Sequence, residues 1–257
     1  MLQGKTVVVS GVGPGLGREI AAVVVRDGGN VAIGARSADR LEQAAAELDP
    51  SGERVVWRTT DITRPGDPEA LVEAAVARFG GLDGLVNCAA LDSVLGGLDD
   101  TSFEDWERSV STNVVGTMRM TKAATDRMAG RGGSIVIIGT QASVWPRILQ
   151  TAYAASKGAL LSAVPSLAME LGPKKIRVNA VLPTWMWGPP VEGYVQYTAQ
   201  QQGVAPEEII AGITSKMPLG EIPSDGDVAD AVVFLASERA RMITGQALLV
   251  NAGEYIR

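Results

Sequence analysis

Residues 5–28 read KTVVVSGVGPGLGREIAAVVVRDG, and few folds can hold such a stretch. The β-branched run at 5–11 shows no polar alternation, so as a strand it needs cover on both faces. It closes on a glycine. The apolar residues that follow, over 17–28, recur with the spacing of an amphipathic helix.

The same alternation runs down the chain. Further strands are expected at 30–36, 54–61, 82–90, 133–140, 175–183 and 245–253. Helices are expected at 39–49, 68–80, 102–129 and 151–171. Nearly all the strands are apolar throughout. This predicts an α/β chain with a doubly wound, seven-stranded parallel sheet and helices on both faces. With 46% hydrophobic and 20% charged residues, a chain of 257 can bury a core of that size. No repeat, low-complexity tract or linker interrupts it, so residues 1–257 are expected to form a single domain. Residues 184–217 break the rhythm with prolines, glycines, WMW and two tyrosines, and read as a long irregular excursion serving as a substrate lid.

Composition removes several functions. There is no histidine and one cysteine, Cys88, so a zinc or iron site lacks ligands and an intrachain disulfide is impossible. A net charge of −6 argues against a nucleic-acid surface. No apolar run reaches the roughly 18 residues of a membrane span. The opening residues run straight into a strand pattern with no signal peptide, so a cytoplasmic location is expected.

The glycine turn lies between strand and helix, where a nucleotide site needs it. Gly11, Gly15 and Gly17 allow a tight bend and let a pyrophosphate approach the backbone, while the helix N-terminus offers free N–H groups. The second strand ends in GARS without the carboxylate that would bind the ribose of NAD. Arg36 and Arg18 offer charge-assisted bonds to a 2′-phosphate instead, favouring NADP(H) over NAD(H). Asp61, ending the third strand, can accept a bond from an adenine amino group or cap a helix. Asn87 ends the fourth strand at the same sheet edge.

Read together, SGVGPGLG, DIT, NCAA, STNVVGT, a hydroxyl residue closing strand five, YAASK and IRVNAVLP occur in the order of the short-chain dehydrogenase/reductase family, which the chain resembles from end to end. That resemblance implies a Rossmann-type fold and a hydride transfer between a nicotinamide and a carbonyl or alcohol. It implies a cofactor site drawn from Gly11, Gly13, Gly15, Leu16, Gly17, Arg18, Arg36, Ser37, Asp61, Ile62, Asn87, Ala89, Tyr153, Lys157, Pro183 and Thr184. It makes Tyr153 and Lys157 a catalytic pair, and the residue chemistry agrees. A phenol of pKa about 10 needs a neighbouring cation to work near neutral pH, and residues four apart share a helix face. The hydroxyl thirteen positions upstream is Thr140, with Ser143 as the alternative. Asn113 matches an asparagine that holds a water joining the lysine to solvent.

Four positions depart from the family pattern. Cys88 and Ala90 stand in NCAA, Thr184 follows Pro183, and Gly188 replaces a threonine that bonds the carboxamide. Thr184 or a backbone group is left to compensate.

Candidate substrate walls are Leu91, Leu95, Ser143, Trp145, Ile148, Leu149, Trp185, Met186, Trp187 and Tyr194. Three of the five tryptophans fall here, favouring a bulky apolar substrate, and Arg147 is the one basic exception. The resemblance also implies a homotetramer, or a dimer, built on helices 102–129 and 151–171, with the C-terminal NAGEYIR near a twofold axis. Two rivals are weaker. A non-catalytic dinucleotide sensor predicts a broken Y-x-x-x-K, which is intact. A methyltransferase on a similar fold wants an acid after strand two, where GARS has none.

Overall fold

The computed structural model describes residues 1–94, 96–147 and 149–256. Leu95 and Ile148, both expected in the substrate wall, lie outside the described residues.

Strands β1 (Thr6–Ser10), β2 (Asn30–Ala35), β3 (Val55–Thr59), β4 (Gly84–Asn87), β5 (Gly133–Ile138), β6 (Ile176–Pro183) and β7 (Ala247–Val250) form one sheet in the order β3-β2-β1-β4-β5-β6-β7. Every neighbouring pair is parallel. Strand β1 explains why the apolar runs are continuous. Val7 and Val9 point into a core shared with Ile20, Val24, Val228 and Val232. Val8 points the other way, into a core with Leu71, Met120 and Leu160. Both faces are covered, so the middle of the strand is apolar on both sides.

On the first face lie helices α1 (Leu16–Arg26), α2 (Ala38–Leu48) and α9 (Asp225–Ala236); α3 (Asp67–Phe79), α5 (Thr117–Met128) and α6 (Thr151–Leu171) cover the second. Helix α4 (Phe103–Val110) precedes α5.

Three expectations are corrected. The helix predicted at 102–129 is not continuous: a π-helical turn, Ser111–Gly116, separates α4 from α5 and carries the buried Asn113. Such turns add a residue to the helix and frequently mark functional positions. The stretch 184–217 is not irregular, since it holds α7 (Pro189–Gln202) and α8 (Pro206–Thr214). Few of their residues are buried, only Val195 and Ala199 on α7 and none on α8, so no strong apolar stripe marks them. The strand pattern assigns nothing to 218–244, yet α9 packs there. Its sequence, DGDVADAVVFLA, is apolar nearly all round after the first turn, as fits a helix wedged against the sheet and α1.

Strand order reverses between β1 and β4. At such a switch point the strand C-termini leave a crevice. Ser10, Asn87, Ile138 and Pro183 close their strands along that edge.

Candidate active site

The glycine turn is shaped by backbone contact. Gly11 has φ +90°, and a Cβ there would lie 2.2 Å from Ala89 N. A Cβ on Gly17 would lie 2.2 Å from the Gly11 carbonyl oxygen. Both positions therefore exclude any side chain. Gly13 is different, with nothing within 4 Å of its Cβ position. Gly15 caps α1 without a side-chain bond. Among the described residues, the N–H groups of Gly13, Gly15, Leu16 and Gly17 make no backbone hydrogen bond, so the turn presents free donors.

Around it stand the other expected cofactor residues. Arg36 is exposed and has no ion-pair partner among the described residues, whereas Arg18 is bonded to Glu47 at 2.7 Å. That pair is surface-exposed and weakly held. Ser37 begins α2 with its hydroxyl free of any capping bond. Asp61 serves its own loop, its Oδ1 accepting from Thr63 N at 2.9 Å and Thr63 Oγ1 at 2.7 Å. Those bonds from Thr63 hold its carboxyl below the usual range, and the nearby Arg64 and Arg36 add to the effect. Ile62 is buried beneath Gly116. Asn87 is buried, and its amide donates to Thr121 Oγ1 at 3.1 Å while its Oδ1 has no partner. A buried acceptor left unpaired is costly unless a ligand donor meets it.

The catalytic candidates converge at the ends of β5 and α6. Thr140 is extended and accepts from Ala142 N at 3.2 Å, and its hydroxyl is close enough to Tyr153 to oppose the rise in the phenol's pKa. Ser143 is also near but its hydroxyl is buried without a partner. Of the two hydroxyls, Thr140 therefore faces the phenol. Lys157 is fully buried, its Nζ donating to the Ile138 carbonyl at 2.7 Å and standing 5.9 Å from the Tyr153 ring centre.

Their acidities depart from expectation. Burial lowers Lys157 to about 8, opposed by Cys88 and the Asp92 carboxylate. The Tyr153 phenol is raised, chiefly by burial, with Asp92 and Cys88 adding to it and Thr140 opposing. Lys157 is not among the groups that shift it. In this arrangement desolvation outweighs the ammonium, which spends a hydrogen bond on Ile138. Burial also pushes the Cys88 thiol up to about 11, so this cysteine is not a nucleophile near neutral pH.

Asn113 sits in the π-helical turn with its side chain committed. Its Oδ1 accepts from Leu91 N at 2.7 Å, and its Nδ2 donates to Leu91 O at 3.0 Å and Ser156 Oγ at 2.9 Å. Ser156 in turn donates to the Tyr153 carbonyl at 2.7 Å. Asn113 thus ties the segment after β4 to the turn of α6 that bears Tyr153, and makes no bond to Lys157.

The substrate side is laced together by the C-terminal segment. Glu254 is buried, with 4% of its side chain exposed, and pairs with Arg147 at 2.9 Å. Gln141 Nε2 donates to the same carboxylate at 2.9 Å, and Asn251 donates to Gln141 Oε1 at 2.6 Å. The Thr184 hydroxyl donates to Glu254 and accepts from Arg147, which spends its one proton within the protein. Arg147 lies 4.9 Å above the Trp185 ring, Trp185 packs on Tyr194, and Trp145 stacks on Tyr255. Trp187 donates to the Pro223 carbonyl at 2.7 Å. Met186 packs instead against the core beneath α9. Leu149 is half exposed at φ +63°, a strained conformation for a leucine. Its carbonyl accepts from Gly96 N at 3.0 Å, joining the segments after β4 and β5.

Residues that sequence reading missed include Glu254, Gln141, Ser156 and Asp92. Their roles depend on partners up to 113 positions away, and no local pattern carries that. A cavity of about 450 Å³ lies at the opposite edge of the sheet, lined by Lys5, Asp83, Arg131, Lys175 and Glu238. It contains no catalytic candidate, so volume alone does not mark this site.

The family model described as enoyl-(acyl carrier protein) reductase matches residues 11–254. The chain is 35% identical to the L-rhamnose 1-dehydrogenase (NAD(P)(+)) of Azotobacter vinelandii over 264 aligned positions, covering all of this chain and 98% of the relative. A short-chain type dehydrogenase/reductase from Mycobacterium ulcerans superposes with a TM-score of 0.90 at 32% identity, covering 98% of this chain and 90% of that one. The actinorhodin polyketide ketoreductase solved with NADPH superposes at 0.87 with 30% identity, covering 99% of each. The chain belongs to the short-chain dehydrogenase/reductase family and is an oxidoreductase that uses a nicotinamide dinucleotide and a small-molecule substrate.

The residues present fit that cofactor: a tight turn whose Gly11 and Gly17 have no room for a Cβ against the neighbouring backbone, unpaired N–H groups above α1, and the orphan Asn87 Oδ1. Among the described residues no group of three metal-binding side chains occurs, and no helix is long and apolar enough to cross a membrane.

Proposed function

We propose that this oxidoreductase interconverts a neutral, bulky, apolar ketone and its secondary alcohol, with NADP(H) preferred over NAD(H). The observation that carries the reading is the Thr140–Tyr153–Lys157 cluster at the end of β5, beside the glycine turn. When bound, the dinucleotide supplies or accepts a hydride at the carbonyl carbon. Tyr153 gives or takes the proton at the substrate oxygen. Thr140 orients that oxygen through its hydroxyl, which lies close enough to Tyr153 to influence the phenol. Lys157 keeps a positive charge beneath the pair while pH stays below about 8.

Exposed Arg36 at the end of β2, with no carboxylate beside it in GARS, supports a 2′-phosphate partner. A neutral substrate follows from Glu254, which cancels the charge of Arg147, the cation of the tryptophan-rich wall. The helices at 189–214 act as the lid over this wall, within a single domain. A groove of about 350 Å³ on α4, lined by Trp106, Val110 and Val115, supports assembly through α4 to α6 into a dimer and then a tetramer. The unpaired Cys88 fits a reducing cytoplasm.

Initial rates on a panel of ketones and alcohols, each with NADPH and NADH, test the reading. Reduction of bulky neutral ketones at higher kcat/KM than of keto acids, with NADPH ahead of NADH, is expected. Preference for keto acids or for NADH would overturn that part of it.

A further inference from the structure

Among the described residues, one carboxylate stands in the dinucleotide cleft with nothing to bond it. Helix α9 is capped by Ser224 and Asp227, whose reciprocal bonds satisfy its N-terminus: Ser224 Oγ accepts from Asp227 N at 3.1 Å and Asp227 Oδ2 accepts from Ser224 N at 2.8 Å. Asp225, between them, is therefore not needed as a cap. Its side chain projects into the gap between the glycine turn and the loop after β6. A Cβ built on Gly15 would lie 3.3 Å from Asp225 Oδ2, and one built on Gly188 only 2.9 Å from it. The carboxylate thus touches both backbone strips that border the cleft, and two glycines make the room for it.

It has no hydrogen bond and no ion pair among the described residues, although it is half-buried. The groups around it are not cationic. Glu19, on the first turn of α1, repels it. The Cys88 thiol lies on the β4 side, where the same carboxylate helps push that thiol up. Arg18 is taken by Glu47 and Arg26 by Asp230, while Asp227 is bound to Ser224. Burial and Glu19 together hold the Asp225 carboxyl above the usual range. A helix N-terminus with free N–H groups is an anion site, and in this architecture the pyrophosphate docks there. Asp225 brings a second negative charge to the same place.

We propose that Asp225 is a charge gate of the dinucleotide cleft, so that the cofactor's pyrophosphate enters together with a proton on this carboxylate. The inference rests on the dinucleotide reading above. Two anions in one low-dielectric gap cannot both stay charged without cost. The pyrophosphate raises the proton affinity of Asp225 further, and by linkage the proton strengthens dinucleotide binding. With Asp225 ionised, affinity falls as pH rises, by at most about tenfold per pH unit for one linked proton. The consequence is selective: ligands carrying the negative pyrophosphate are penalised at alkaline pH, and the penalty vanishes when the residue cannot ionise.

The test is the ratio of NADPH dissociation constants, wild type over Asp225→Asn, from fluorescence titration at pH 5.5 and pH 8. Taking the ratio cancels the titration of the cofactor's own phosphates. A ratio that grows from pH 5.5 to pH 8, reaching about tenfold at pH 8 with the variant the tighter binder, is expected. Asp225→Ser, measured alongside, should give the same trend and guards against a folding defect in one variant. A ratio that does not change with pH, or variants that bind NADPH more weakly at both values, would overturn the charge gate while leaving the dinucleotide reading intact. Wild-type protein that binds neither NADPH nor NADH at either pH would overturn both.

Discussion

The turn at residues 11–17 and the wall at residues 141–147 border the same crevice but are held by different means. The turn is set by backbone against backbone: Gly11 against Ala89, Gly17 against Gly11. The wall is set by side chains that arrive from the far end of the chain, Asn251, Glu254 and Tyr255. A backbone-built site admits a common cofactor in one geometry. A side-chain-built site can be rewired by a few substitutions, and substrate choice resides there.

The contrast can be broken most forcefully at Gly17. Gly17→Ala places a Cβ 2.2 Å from a carbonyl oxygen, so it should cost ~3 kcal/mol or more and abolish dinucleotide binding. Gly13→Ala meets nothing within 4 Å and should leave the melting temperature unchanged. Equal melting temperatures for the two variants would refute the backbone account of the turn.

Next in size is the wall. Glu254→Ala leaves Arg147 without its buried partner, and should cost about 3 kcal/mol in chemical denaturation. The Kd for NADPH should hold while KM for substrate rises. A matching loss of cofactor affinity would mean that the two regions are not separable.

Lys157 sharpens the comparison through pH. Its folded pKa of about 8 lies below the ordinary 10.5, so the unfolded chain holds that proton more tightly. The lysine therefore lowers stability at pH 7, and stability from this group rises with pH between those two values. Lys157→Met should melt higher than wild type at pH 7 yet lose most activity. In the wild type, kcat/KM for reduction should fall as pH passes about 8. Unchanged rates from pH 7 to 9 would contradict the need for a charged Lys157.

The smallest change is Arg36→Ala. The side chain is exposed and has no ion-pair partner among the described residues, so the melting temperature should not move. NADPH should bind about tenfold more weakly with NADH unaffected.

How far the sequence reveals this arrangement follows the same division. Continuous runs such as VVV at 7–9 and IVII at 135–138 announce strands buried on both faces, and the glycine turn and Y-x-x-x-K are local signatures. The seven-stranded sheet was therefore legible, and the candidate site was marked by its local motifs. Local signals fail where tertiary packing decides. Helix α9 is apolar nearly all round and has no period to detect. The π-helical turn at Ser111–Gly116 interrupts a helix whose pattern looks continuous. The commitment of Thr184 to Glu254 depends on a partner 70 positions away. The raised pKa of Tyr153 depends on burial, which a pair of letters four apart does not encode.

The central claim is that Tyr153 carries the proton of a dinucleotide-dependent carbonyl–alcohol exchange. The most direct measurement compares wild type with Tyr153→Phe on the best ketone of the panel, with NADPH binding followed in parallel. Loss of the phenol oxygen should lower kcat by about a hundredfold to ten-thousandfold while the NADPH dissociation constant stays within about twofold. A Tyr153→Phe enzyme that retains kcat within a few-fold of wild type would contradict the account.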